Sequence, residues 1–212
     1  MGVFHLLRHG EHGLLGKVLA GRMPGVGMTE RGRAEIASQA DRLAREKIAA
    51  IYASPLQRTR ETAEIVAARL GLPIEFRDDL LELDFGEWTG ATFDSIRSDP
   101  RWQAWSTQRS LAAIPGGESM RAVQQRVVAA LLELNERHLH ETIVLVSHGD
   151  VIRCALLFAL GMPLDFYNRM EIGQGSISTI QMHAGGIRVL TLSDRPPPLT
   201  YISDEIASLR SQ

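Results

Sequence analysis

The chain has 212 residues, 44% of them hydrophobic, and its 23 Lys and Arg against 25 Asp and Glu leave a net charge of -2. That balance excludes the electrostatic footprint of a nucleic-acid or acidic-membrane binder, and no apolar run approaches the ~20 residues of a bilayer span. The single cysteine, Cys154, excludes an internal disulfide and fits a reducing compartment, so a cytoplasmic protein with a small-molecule partner is expected, folded as one domain over 1–195 with a surface tail over 196–212.

Strand-like and helix-like stretches alternate along the chain, which predicts an α/β fold. Val3 to Leu7 is an apolar strand that runs into Arg8-His9-Gly10. The glycine-rich stretch 10 to 28 has no periodicity and predicts a long functional loop. Thr29 caps a helix over about 30 to 46, with Ile36, Ala40, Leu43 and Ala44 inward. Ile48 to Tyr52 is a short strand; Ser54-Pro55 opens the next helix and Gly71 ends it. Ile74 to Arg77 predicts a further strand, and residues 92 to 112 short helices around Trp102 and Trp105, broken at Pro115-Gly116-Gly117.

A long helix follows from about Glu118 to His138, burying Val123, Val127, Ala130, Leu131 and Leu134. The strand at 142 to 147 then runs into His148-Gly149, and a helix extends to Gly161. Ser176 to Met182 and Ile187 to Leu192, separated by Ala184-Gly185-Gly186, predict a hairpin. Pro196-Pro197-Pro198 begins the tail.

Two apolar strands that each end on His-Gly suggest a reaction centre, because ligands of open α/β sheets bind at the carboxyl ends of strands. Glycine after each histidine lets the chain turn sharply and a ligand come close. A metal site is one alternative, since His9 and His12 lie three apart and Glu11, Glu82 and Asp150 offer oxygens. Arg8 and Arg153 weigh against it, because a fixed cation beside a divalent ion is unfavourable. A guanidinium is instead shaped for two oxygens of a phosphoryl group.

The blocks Leu7-Arg8-His9-Gly10-Glu11, Ser54-Pro55-Leu56-Gln57-Arg58-Thr59-Arg60-Glu61-Thr62-Ala63, Leu81-Glu82-Leu83-Asp84-Phe85-Gly86-Glu87-Trp88-Thr89-Gly90, Pro115-Gly116-Gly117-Glu118-Ser119 and Val146-Ser147-His148-Gly149 resemble, in order, the histidine phosphatase superfamily, also called phosphoglycerate mutase-like. The resemblance implies a three-layer αβα fold on a mostly parallel sheet, no cofactor, no metal, and a small phosphorylated substrate. It implies His9 as the nucleophile that becomes phosphohistidine, and Arg8, Arg58, His148 and Gly149 around the phosphate. His148 is then most useful protonated. Glu82 matches the position that gives a proton to the leaving group and afterwards activates water.

His12 stands where many members of that family have Thr, and Leu15 where they have Asn, so part of the phosphate shell is reorganised. His12 and Arg22 are further candidates for substrate contact. The short stretch between the Glu82 and Pro115 blocks favours a phosphatase over the mutases that the family also contains. A mutase using the same phosphohistidine, and a silent phosphate-binding module, stay open. His5 is expected in the core, His138 and His140 at a helix end, and His183 by a turn. Trp88, Trp102 and Trp105 are expected to be core more than pocket wall.

Overall fold

The computed structural model describes residues 1–195; the tail expected over 196–212 lies outside the described residues. Strands β1 (Gly2–Arg8), β2 (Ile48–Ala53), β3 (Ile74–Phe76), β4 (Thr142–Ser147), β5 (Ile177–His183) and β6 (Gly186–Asp194) form one sheet in the order β3-β2-β4-β1-β5-β6. The first four of that order are parallel, while β5 pairs antiparallel with both β1 and β6. The sheet is therefore mixed and mostly parallel, with the expected hairpin at one edge.

Side-chain alternation divides the sheet between two helical layers. Phe4 and Leu6 of β1, Tyr52 of β2 and Ile143 and Leu145 of β4 join one core with Val127 and Leu131. These last two come from helix α5 (Met120–Arg137), which packs beside α6 (Gly149–Ala159). Leu7, Ile51, Val144 and Val146 join the other core with Ile36, Leu43 and Val66 of α1 (Glu30–Leu43) and α2 (Gln57–Leu70). Neighbouring residues on each buried strand thus serve opposite layers, which is why the strands are apolar almost throughout.

The boundaries moved where capping chemistry decided them. Helix α1 stops at Leu43, three residues short of the expected end, and Ala44 caps it. Helix α5 begins after Ser119, whose hydroxyl accepts from the N–H of Ala122, and not at Glu118. Helix α2 starts at Gln57, because β2 runs on to Ala53 and Ser54-Pro55-Leu56 turn out of it. Strand β3 ends at Phe76, one residue early; β5 has the expected length shifted by one residue, and β6 is longer than expected. The stretch 92 to 112 holds two short helices, α3 (Phe93–Ile96) and α4 (Pro100–Thr107). A 3-10 helix over Leu164–Arg169, which periodicity did not reveal, follows α6. No helix among the described residues is long and apolar enough to cross a membrane.

Candidate active site

The three central strands β2, β4 and β1 end side by side at Ala53, Ser147 and Arg8, and the residues that follow them meet. His9 and His148 come together with ring centroids 5.3 Å apart, and His12 lies 5.2 Å from His9 on another side. All three rings are buried. The adjacent cavity, of about 320 Å³, is lined by Arg8, His9, His12, Arg58, Glu82 and Gly149 together with aromatic and apolar side chains of the loop at 10 to 28 and of α3 and α4.

Hydrogen bonds orient each group. The Nδ1 of His9 lies 2.9 Å from the carbonyl oxygen of Gly10, an acceptor only, so Nδ1 carries the proton and Nε2 keeps its lone pair. His148 sets its Nε2 2.8 Å from the hydroxyl of Ser54, leaving its buried Nδ1 without a partner. Arg58 donates to the carbonyl of Gly21 at 2.7 Å, yet its Nε and Nη1 are unsatisfied. Arg8 donates to the carbonyl of Ile172, and its Nε is likewise unsatisfied. Buried N–H groups without acceptors are costly and rare, so two such guanidiniums beside one cavity mark a place for an anion.

The same cations set the protonation states. Burial first, then Arg58 and Arg8, hold the His9 imidazole well below its ordinary value, so it is neutral. His12 falls to about 4 for the same reasons, and its Nδ1 accepts from the N–H of Leu14 at 3.3 Å. That acceptance leaves Nε2–H as its donor. Burial and Arg58 also press His148 well down, contrary to the protonated state that its family role suggests. Glu82 moves the other way: burial, then Asp150, lift its carboxyl to about 7, although Arg58 and Arg8 oppose the rise. It holds a proton near neutrality.

Gly10 and Gly149 do not have the turn conformation that their position suggested, since neither lies at positive φ. Their smallness serves packing. A Cβ on Gly149 would stand 3.2–3.4 Å from the Arg8 guanidinium, and one on Gly10 would stand 2.6 Å from the Met28 sulfur and 2.8 Å from the Gly32 carbonyl.

Arg22, expected at the substrate, faces away from the cavity. Its Nε donates to the backbone carbonyl of Glu82 at 2.8 Å and its Nη2 to Glu118 at 3.0 Å. Arg126 reaches the same carboxylate through Nε at 2.8 Å and the carbonyl of Asp79 at 2.7 Å. The pair braces the loop that carries Glu82. In the stretch 92 to 112, Trp102 and Trp105 line the cavity, while Trp88 packs in the core behind them.

Sequence reasoning missed Ser54 as a partner of His148, and it missed Arg109 and Tyr167 on the cavity wall. Ser54-Pro55 was legible only as a helix opening, and nothing local distinguishes Arg109 from a surface arginine. His5 is in the core as expected, between Thr179 and Glu46 at 3.0 Å each, and His138 caps α5. Among the described residues, no group of three His, Cys, Asp or Glu is gathered so as to hold a metal ion.

A cavity of this kind receives a tetrahedral oxyanion, and an uncharged imidazole beside it can attack phosphorus, so fold and site define an α/β phosphoryl-transfer enzyme. The chain belongs to the histidine phosphatase superfamily (branch 1), whose pattern matches residues 4–195. Among its relatives, Phosphoserine phosphatase 1 of Hydrogenobacter thermophilus is 31% identical over 157 residues, 73% of this chain and 74% of that one. A probable phosphoglycerate mutase, GpmB of Salmonella choleraesuis, is 32% identical over 180 residues, 83% of each chain. The solved structure of Bacillus stearothermophilus YhfR superimposes with a TM-score of 0.84 at 31% identity, covering 92% of this chain and 98% of that one.

Proposed function

We propose that the protein is a phosphatase that hydrolyses a small phosphomonoester through a phosphohistidine on His9, with Glu82 as general acid and then general base. The observation that carries this reading is the neutral, tautomer-fixed His9 beside two guanidiniums with free donors. Nε2 attacks phosphorus while Arg8, Arg58, His148 and His12 hold the equatorial oxygens, and Gly149 leaves room for them beside Arg8. The phosphorus–oxygen ester bond breaks as the nitrogen–phosphorus bond forms, and the departing alkoxide takes the Glu82 proton. The resulting carboxylate then removes a proton from water as that water displaces phosphate from His9. Arg22 and Arg126 act through Glu82 by fixing its loop.

The test is rapid quenching with a ³²P-labelled phosphomonoester. An acid-labile, alkali-stable label should appear on the unsubstituted enzyme and be absent from His9→Ala, whose phosphate release should fall by roughly 10³-fold or more. Label that turns into an isomer of the substrate without release of phosphate would favour a mutase, and no label at all would favour a binding module. The expected pH profile follows from the two shifts. Activity falls as pH rises through about 7, where Glu82 loses its proton, while the acid limb lies well below the ordinary histidine value because His9 stays neutral there. Glu82→Gln should remove the alkaline limb and cost ~10²–10⁴ in rate with alkyl phosphates, and less with aryl phosphates that leave unaided.

A further inference from the structure

We infer that Arg109 forms a second anion subsite in the same cavity, so that the substrate is a phosphomonoester carrying another negatively charged group away from the scissile phosphate. This rests on the phosphatase-type phosphate pocket proposed above, and extends it to the class of substrate.

Arg109 follows α4, and its guanidinium lies between two aromatic rings, 3.8 Å from the centroid of Trp105 and 3.6 Å from that of Tyr167. Such a sandwich holds a cation in a fixed place without neutralising it. The residue is only 8% exposed and lines the cavity, and its Nε and Nη1 have no hydrogen-bond partner. No carboxylate among the described residues forms an ion pair with it. Asp150, which is near, accepts from the Tyr167 hydroxyl and pairs with Arg153 at 3.6 Å. A buried, unneutralised arginine that costs desolvation without a structural partner is better explained by a ligand than by packing.

Charge leads to the same conclusion. Four guanidiniums line the cavity, those of Arg8, Arg58, Arg109 and Arg153, against the two carboxyls of Glu82 and Asp150. With Glu82 protonated for its role as acid, a phosphoryl dianion and Asp150 offset three of the four cations. One remains, and Arg109 is the one without a partner. Arg8, Asp150, Tyr167 and Arg109 all line the one cavity, and Asp150 and Tyr167 act electrostatically on both guanidiniums. A carboxylate or a second phosphate on a short carbon skeleton has the required chemistry.

The test measures binding, so that it does not depend on turnover. In the His9→Ala background, calorimetry compares 3-phosphoglycerate with glycerol 3-phosphate, which has the same carbon count but a hydroxymethyl group in place of the carboxylate, and with propane-1,3-diol bisphosphate. The carboxylate or the bisphosphate ligand should bind about 10–100-fold more tightly than glycerol 3-phosphate, and which of the two is tighter identifies the second group. Adding Arg109→Met should erase that preference while changing glycerol 3-phosphate affinity less than about threefold. Equal affinities in the starting background, no binding of any ligand, or a loss in Arg109→Met that is the same for all three would overturn the subsite. If Arg109→Met does not fold, Arg109→Lys decides: a reduced preference supports the subsite and an unchanged one sinks it. Phosphate release by the unsubstituted enzyme is scored separately, so a failed phosphatase reading with the preference intact is distinguishable from the reverse.

Discussion

Glu82 shows how one buried carboxyl can cost stability. Its carboxyl is lifted from about 4.5 to about 7 by burial and Asp150. Because the folded value is the higher one, the unfolded chain releases this proton first as pH rises. Stability therefore falls between about 4.5 and 7, and stays lower above that window, by on the order of 3 kcal/mol. Glu82→Gln removes the ionisation, so it should melt higher than the unsubstituted protein at pH 8 and nearly with it at pH 4. Calorimetric melts at the two pH values check this, and a variant that melts lower at pH 8 would refute it. Arg22 supplies a second prediction at this scale. Since its Nε holds the Glu82 carbonyl from outside the cavity, Arg22→Met should lower kcat toward alkyl phosphates about tenfold and move the alkaline limb. The inhibition constant of inorganic phosphate should stay nearly constant, whereas a substrate-contact role would weaken it.

At the scale of elements, the site depends on loops being held against one another. The 3-10 turn Gly86–Trp88 packs on Pro115-Gly116-Gly117, with the N–H of Glu87 on the Pro115 carbonyl at 3.0 Å and that of Glu118 on the Asp84 carbonyl at 2.9 Å. Gly86 has φ 47°, and a Cβ there would lie 2.2 Å from the Pro115 oxygen, which is backbone and cannot move aside. Gly86→Ala should destabilise the fold by about 2–4 kcal/mol and reduce activity by loosening Glu82. Urea unfolding together with kcat checks both effects. These two loops carry separate motifs in the sequence, and their junction ties the Pro-Gly-Gly break to the loop that follows Glu82. The strands and long helices were legible because their periodicity records which face meets the core. The 3-10 helix over Leu164–Arg169 was not, since a single short turn has no repeat, and Tyr167 went unread with it.

For the molecule as a whole, the unsatisfied guanidiniums beside the cavity predict that an anion bound there contributes to the fold's energetics. Saturating inorganic phosphate at about 100 times its dissociation constant should add ~2.7 kcal/mol to stability. Arg58→Met should lose most of that increment, as thermal melts with and without phosphate would show. The sequence by itself determined the alternation of strands and helices and the two His-Gly strand ends, because burial periodicity and chemically specialised residue types are local properties; the company of Arg8, Arg58 and Glu82 was legible only through the resemblance of their motif blocks to the family. Only the tertiary structure decided that Arg22 braces a loop, that Ser54 meets His148, and that Arg109 stands in the cavity between two rings. Which way a polar side chain points depends on the elements packed around it, and those are contributed by residues tens of positions away in the chain.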